Sequence, residues 1–259
     1  MGHIRLGRLP STKRWNQVVD LLRAGGNVGL LAAATAHAAE SELEAARGDP
    51  TLAYVVWLLG QLPLAARTHH FTARLGELGF EAGAEQSVLR LVAGLSAAVD
   101  RNISDRANRT DFAELVRQAA AESLSSTLGS ATGSLFGSTA SQLQDQLARL
   151  ATRNGFAHLA RDFFARTIKK TLEYYLSREL ANHVGPDRPI ASIDHEILFR
   201  EALEKHCREA ALIVQEFAGG WYARSNYRET LTPGSAQAFA DYALKKMRDE
   251  LRARRAANG

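Results

Sequence analysis

The sequence predicts an all-α protein, a multi-helix bundle of about nine helices preceded by an extended N-terminal arm. Three observations carry that prediction. Ala, Leu, Arg and Glu are abundant and only 6 of 259 residues are proline, a composition that favours helix along the whole chain. Apolar residues recur three and four positions apart in one segment after another, the period of a helix with one buried face. Alternation of the kind a half-buried strand shows is confined to Gly2–Pro10. Hydrophobic residues make up 46% of the chain and charged residues 23%, which excludes wholesale disorder and supplies a sizeable core.

In the arm, Ile4, Leu6 and Leu9 alternate with Arg5 and Arg8, a pattern suited to lying in a groove of the body. The first helix runs from Thr12 to Ala24, with Trp15, Val18, Val19 and Leu22 as its apolar face and Gly25-Gly26 ending it. The second, Asn27–Arg47, opens on Val28, Leu30, Leu31 and an alanine run, whose small side chains allow close packing. Gly48-Asp49-Pro50 stops one helix and starts the next, since Pro suits a first helical turn. The uncharged run from Thr51 to Ala66 reads as a central core helix with a bend at Gly60, Gln61 and Pro63. Thr68–Leu78 is a short helix and Glu81–Asp100 a longer one.

The polar stretch Arg101–Arg109 is the candidate hinge. It separates an N-terminal helical subdomain, 1–100, from a C-terminal one, 110–259; one continuous domain is the alternative. Beyond it, Thr110 or Asp111 caps a helix with Phe112, Leu115, Val116 and Ala119 on its stripe. An amphipathic helix resumes at Leu143, Leu147 and Leu150, and Asn154-Gly155 marks a turn. Phe156–His183 reads as a long helix and Ile193–Phe217 as another, ended by Gly219-Gly220. Thr232-Pro233 is a cap-and-first-turn pair for the last helix, which closes on Arg252, Arg254 and Arg255.

Between the hinge and Asn154 lies the most distinctive stretch. Ser123–Gln144 carries no charged side chain, and Gly129, Gly133 and Gly137 recur at intervals of four. On a helix these would stack into one groove where another backbone comes close, beside a ridge of Ser126, Ser130, Ser134 and Ser138. The pattern resembles the glycine zipper of membrane-associated and pore-forming helices. That resemblance implies a helix that packs against copies of itself or against lipid; close packing inside the fold, as one helix or as two joined by a Gly/Ser loop, is the alternative. The many hydroxyls make it too polar for an ordinary membrane span.

No residue set qualifies as catalytic, cofactor-binding or metal-ligating. His69-His70 diverge on a helix, His158 and Asp162 lack a companion ligand, and His195-Glu196 is followed by Phe199 where a zinc motif needs a second His. His206 and Cys207 are adjacent but have no orienting acid. The glycine pairs lack the Lys and leading strand of a phosphate loop. A formal net charge of +4, with 32 basic residues met by 28 acidic ones, argues against nucleic acid as a partner.

The expected function is therefore non-enzymatic: assembly, and contact with a membrane or a protein partner, for which a bacterial toxin-like or phage-defence effector is one setting. A cytosolic scaffold is the alternative, and an enzyme of unrecognised type the second alternative. Gly129, Gly133 and Gly137 are the candidate packing or membrane groove. Arg5, Arg8, Trp221, Tyr222, Arg224, Tyr227, Arg252, Arg254 and Arg255 are the candidate contacts to a partner or an anionic surface. A protein partner or a homo-oligomer is expected, with an anionic membrane surface as the other contact and no cofactor. One cysteine and no apolar leader place the chain in the cytoplasm, or at the periphery of an inner membrane.

Overall fold

The computed structural model describes residues 9–24, 27–81, 87–106, 109–132, 139–183 and 193–258, and these form eleven α-helices and no strand. In chain order they are α1 (Lys13–Arg23), α2 (Val28–Ala45), α3 (Pro50–Ala66), α4 (Phe71–Glu77), α5 (Val88–Asp105), α6 (Asp111–Thr132), α7 (Ala140–Leu150), α8 (Arg153–His183), α9 (Ile193–Ala210), α10 (Leu212–Tyr227) and α11 (Pro233–Asn258). The all-helical bundle matches the sequence reading; the helix count is higher.

Local chemistry explains most of the boundaries. Thr12, Asn27, Asp49, Ser87 and Thr139 each accept a hydrogen bond from a backbone N–H of the first turn they precede. Thr139 does so within a reciprocal capping box with Gln142. Asp49 is followed by Pro50, whose missing N–H costs nothing in a first turn.

Asn154-Gly155 lies in the first turn of α8 instead of marking a turn before it, and three further boundaries differ from expectation. α5 continues to Asp105, so most of the predicted hinge is helix; Ile103 is buried and holds that last turn on the core. The helix expected over Ile193–Phe217 is divided at Ala211, which keeps right-handed helical backbone while Val214 bonds back to it across a single tight turn. The third difference is at Gly219-Gly220, which does not end a helix: α10 runs through it to Tyr227.

α8 is the spine. It packs on α6, α9 and α10, and less extensively on α1, α2 and α7. α3 lies across the other side of the core, covered by α5, α6, α7 and α11. Its Leu52, Val55, Val56, Leu58, Leu59 and Leu62 are all buried, as a central core helix requires. α2 and α11 run antiparallel, since Gly48 N–H donates to Asp241 at one end while Arg248 and Arg252 meet Glu44 and Glu40 further along. Buried residues from α1 through α11 belong to one contiguous core. An aromatic stack sits in it: Phe156 lies against Tyr222 with centroids 4.1 Å apart, and Trp221 against Phe239 at 4.2 Å.

The small-residue segment is divided. α6 ends at Thr132, and the extended backbone of Thr139 opens α7, so Ser123–Gln144 is not one helix. Leu124 and Leu128 on one side and Leu143 and Leu147 on the other are fully buried. Gly129 is half-buried in α6, while Gly133 and Gly137 lie outside the described residues, as do Arg5 and Arg8 of the arm. Leu9, the last apolar residue of the arm, packs on the core. Among the described residues no helix is long and apolar enough to cross a membrane.

Candidate functional site

Charged side chains gather in three places, and their pairing separates them. One of them is a polar groove of about 250 Å³ with Ala165 of α8 in its lining. α8 contributes Asp162, Arg166, Lys169, Lys170 and Glu173 to it, α6 contributes Glu122, and α9 contributes Glu204 and Arg208. Four cations face four anions there, and they are matched. Lys170 meets Glu122 at 2.6 Å, Arg166 meets Asp162 at 2.6 Å, and Glu204 takes Lys169 at 2.5 Å and Arg208 at 2.8 Å. The buried Ser123 hydroxyl donates to Asp162 as well. Lys169, against the pull of partial burial, holds the Glu204 carboxyl below its ordinary value, with Arg208 adding to the effect. These pairs tie α6, α8 and α9 together.

The second place is the carboxylate of Glu40 on α2, whose side chain has no exposed surface. Arg14 of α1 reaches it at 3.0 Å, Arg252 of α11 donates from Nε, and His37 Nδ1 sits 2.6 Å from its other oxygen. Burial alone would raise this carboxyl's pKa. The Arg252 hydrogen bond and the charges of Arg14, His37 and Arg252 outweigh it and hold the pKa below the ordinary glutamate value. Arg252, a predicted surface contact, is thus engaged inside the molecule. Arg254 and Arg255 follow on the last turns of α11, and their side chains lie outside the described residues.

The third place is the corner between α10 and α11, where the predicted aromatic cluster divides. Tyr222 is buried, and its hydroxyl donates to the Gly60 carbonyl at 2.9 Å. Trp221 is packed half-buried on Phe239. Both serve the core. Tyr227 does the opposite: it ends α10 with 90% of its surface exposed, and Arg224 and Arg228 on the same helix end are exposed too.

This corner is fixed by its backbone. Arg228 N–H bonds to the Arg224 carbonyl at 3.0 Å, Glu229 takes the left-handed conformation at φ 54°, and Thr230 N–H closes onto Ser225 at 2.8 Å. The Ser235 hydroxyl donates to the Thr230 carbonyl at 2.7 Å, and Gln61 of α3 donates to Leu231 at 3.1 Å. A third arginine comes from α8. Arg153 crosses α10 at Gly219, and its guanidinium reaches 3.7 Å from the place a Cβ on Gly220 would occupy. Arg224 Nε donates to the carbonyl of that same Gly220. Among the described residues, none of Arg153, Arg224 and Arg228 has a carboxylate within ion-pair distance, in contrast to the groove on α8.

Sequence reasoning named Arg224 and Tyr227 but not Arg153, because nothing local connects a residue at the start of α8 with the end of α10. The glycine pair is the signal that exists: a Gly-Gly inside a helix invites a close neighbour, and that neighbour is Arg153. The remaining chemistry is quiet. Burial, with the charge of Glu173 adding to it, pushes the Cys207 thiol up to about 12, far from a nucleophilic thiolate. Among the described residues no three metal-ligating side chains come together. Comparison of the chain with family models, curated proteins and solved structures finds no match.

Proposed function

We propose that this is a non-enzymatic helical protein that works by contact, assembling with itself or a protein partner or resting on an anionic membrane surface. The observation that carries the reading is Tyr227: a large ring 90% exposed, on a corner held by backbone hydrogen bonds, between two arginines that have no carboxylate within ion-pair distance among the described residues. Exposed Tyr and Arg on a rigid support are the residue types that dominate binding interfaces. In such an assembly Gly129, Gly133 and Gly137 would supply the close-packing groove, and a toxin-like or phage-defence effector acting from the cytoplasm or the inner-membrane periphery is one setting that fits.

Size-exclusion chromatography with light scattering, run with and without anionic vesicles, tests it. The expected result is an oligomer or a vesicle-bound species that Tyr227→Ala or Gly133→Leu weakens. A monomer that ignores vesicles and captures nothing from its native extract, with both variants identical to wild type, would overturn it.

A further inference from the structure

We infer that the α10–α11 corner binds an acidic segment of a protein partner, with Tyr227 as the anchor and Arg224, Arg228 and Arg153 as carboxylate forks. This rests on the contact function proposed above and names the chemistry of the partner.

The argument begins with charge. Some arginines of the described surface meet the chain's own acids, as Arg166 does Asp162, Arg200 Glu196, Arg248 Glu44 and Arg252 Glu40, while others, Arg90 and Arg149 among them, meet none within the described residues. The corner gathers three arginines of the second kind beside an exposed ring. Arg224 and Arg228 stand one helical turn apart and so share a face, Arg153 joins Arg224 at Gly220, and the one acid of the turn, Glu229, pairs with none of them within the described residues. Three arginines that meet no acid among the described residues therefore stand beside Tyr227, at a turn held by backbone hydrogen bonds.

The side-chain types decide among anionic partners. All three cations are arginine, whose planar fork matches carboxylate and phosphate geometry bidentately. A single strand of nucleic acid needs a groove that follows its backbone and several stacking rings; the end of α10 offers one exposed ring, Tyr227. A lipid surface needs apolar bulk to bury beside its cations; the exposed residues around Tyr227 are Ala223, Arg224, Arg228, Glu229 and Thr230. One rigid aromatic ring ringed by forks fits a short acidic stretch of protein, in which one apolar side chain packs on the tyrosine and flanking Asp or Glu residues meet the arginines.

Fluorescence anisotropy of the full chain with a labelled Asp/Glu-rich peptide containing one Leu tests this, beside phosphatidylserine vesicles and a single-stranded oligonucleotide. Wild type should bind the peptide, with affinity falling as salt rises. Arg224→Glu/Arg228→Glu and Tyr227→Ala should each weaken it at least tenfold. The charge-preserving Arg224→Lys/Arg228→Lys should also weaken it several-fold, because the ammonium has no fork. All these side chains are exposed, so circular dichroism should be unchanged. Equal binding by the lysine variant would reduce the effect to net charge and overturn the assignment. Binding of vesicles or oligonucleotide through these residues, with the peptide ignored, would overturn the acidic-protein partner and leave the contact function standing. A monomeric wild type that binds none of the three would remove both.

Discussion

Arg252 of α11 donates from Nε to the buried carboxylate of Glu40 on α2, where Arg14 of α1 also arrives. One acid thus gathers the first helix and the last. Glu40→Gln keeps the shape and removes the charge. Hydrogen bonds to charged groups contribute roughly 1.5–3 kcal/mol, and the two arginines regain solvent, so the expected loss is about 2 kcal/mol, read as a fall in Tm of roughly 5 °C.

The same carboxylate sets an acid dependence. Its folded pKa lies below its unfolded one, so its contribution is fully present above the ordinary glutamate value and fades as pH falls through the lower, folded value. Urea titrations from neutral pH downward should show wild type losing its advantage over Glu40→Gln in that acid range. A gap between the two that stays constant down to pH values below both pKa values would show that the carboxylate's charge is not the stabilising feature.

Gly219 and Gly220 offer a test in which neighbouring, identical substitutions have opposite signs. A Cβ on Gly219 would fall 2.7 Å from Arg153 Cγ and closer still to the Arg153 carbonyl oxygen, so α8 and α10 would have to part. Gly219→Ala should cost about 1–3 kcal/mol. At Gly220 the same methyl meets only the Arg153 guanidinium at an ordinary 3.7 Å, and the helix gains the better residue. Gly220→Ala should be neutral or stabilising by up to about 1 kcal/mol. Chemical denaturation of the two variants measures both.

The helices were legible where the reason for them is local. Pro50 and Thr232-Pro233 announce their first turns, and the stripe of Leu159, Phe163, Ile168, Leu172 and Leu176 announces α8; the first helix is legible too, though its cap is Thr12 and not Ser11. What misled was Gly219-Gly220, because a glycine pair that ends a helix and one that admits a neighbouring backbone look the same in sequence. Tyr222 and Tyr227 differ in fate for a similar reason. Both belong to one aromatic run, but only Tyr222 lies over Phe156 and Gly60, residues that the fold brings from far along the chain. Glu40 opens the acidic half of α2, and nothing in that stretch announces its burial, which depends on Arg14 and Arg252, residues that no local pattern links to it.

Tyr222 separates a hydrogen bond from a packed ring. Tyr222→Phe removes only the hydroxyl's bond to the Gly60 carbonyl and should cost about 1 kcal/mol. Tyr222→Ala also empties the stack on Phe156 and the space beside Gly60, and should cost about 3–5 kcal/mol. Equal losses would mean that the ring contributes nothing to the core, contrary to its burial.

Cys207 tests whether the single thiol is inert. It lies 2% exposed on α9, and its pKa is pushed up to about 12, first by burial and then by the charge of Glu173. At neutral pH the thiolate fraction is minute, and a disulfide reagent has no path to the sulfur. The native protein should therefore react with Ellman's reagent only as fast as it opens, and the same chain in guanidinium chloride should react at once. Cys207→Ala, which removes a small buried group with no hydrogen-bonding duty in this fold, should cost about 1 kcal/mol and leave binding at the α10–α11 corner unchanged. Fast labelling of the native protein at neutral pH would place the thiol in reach of solvent and return it to the list of candidate nucleophiles.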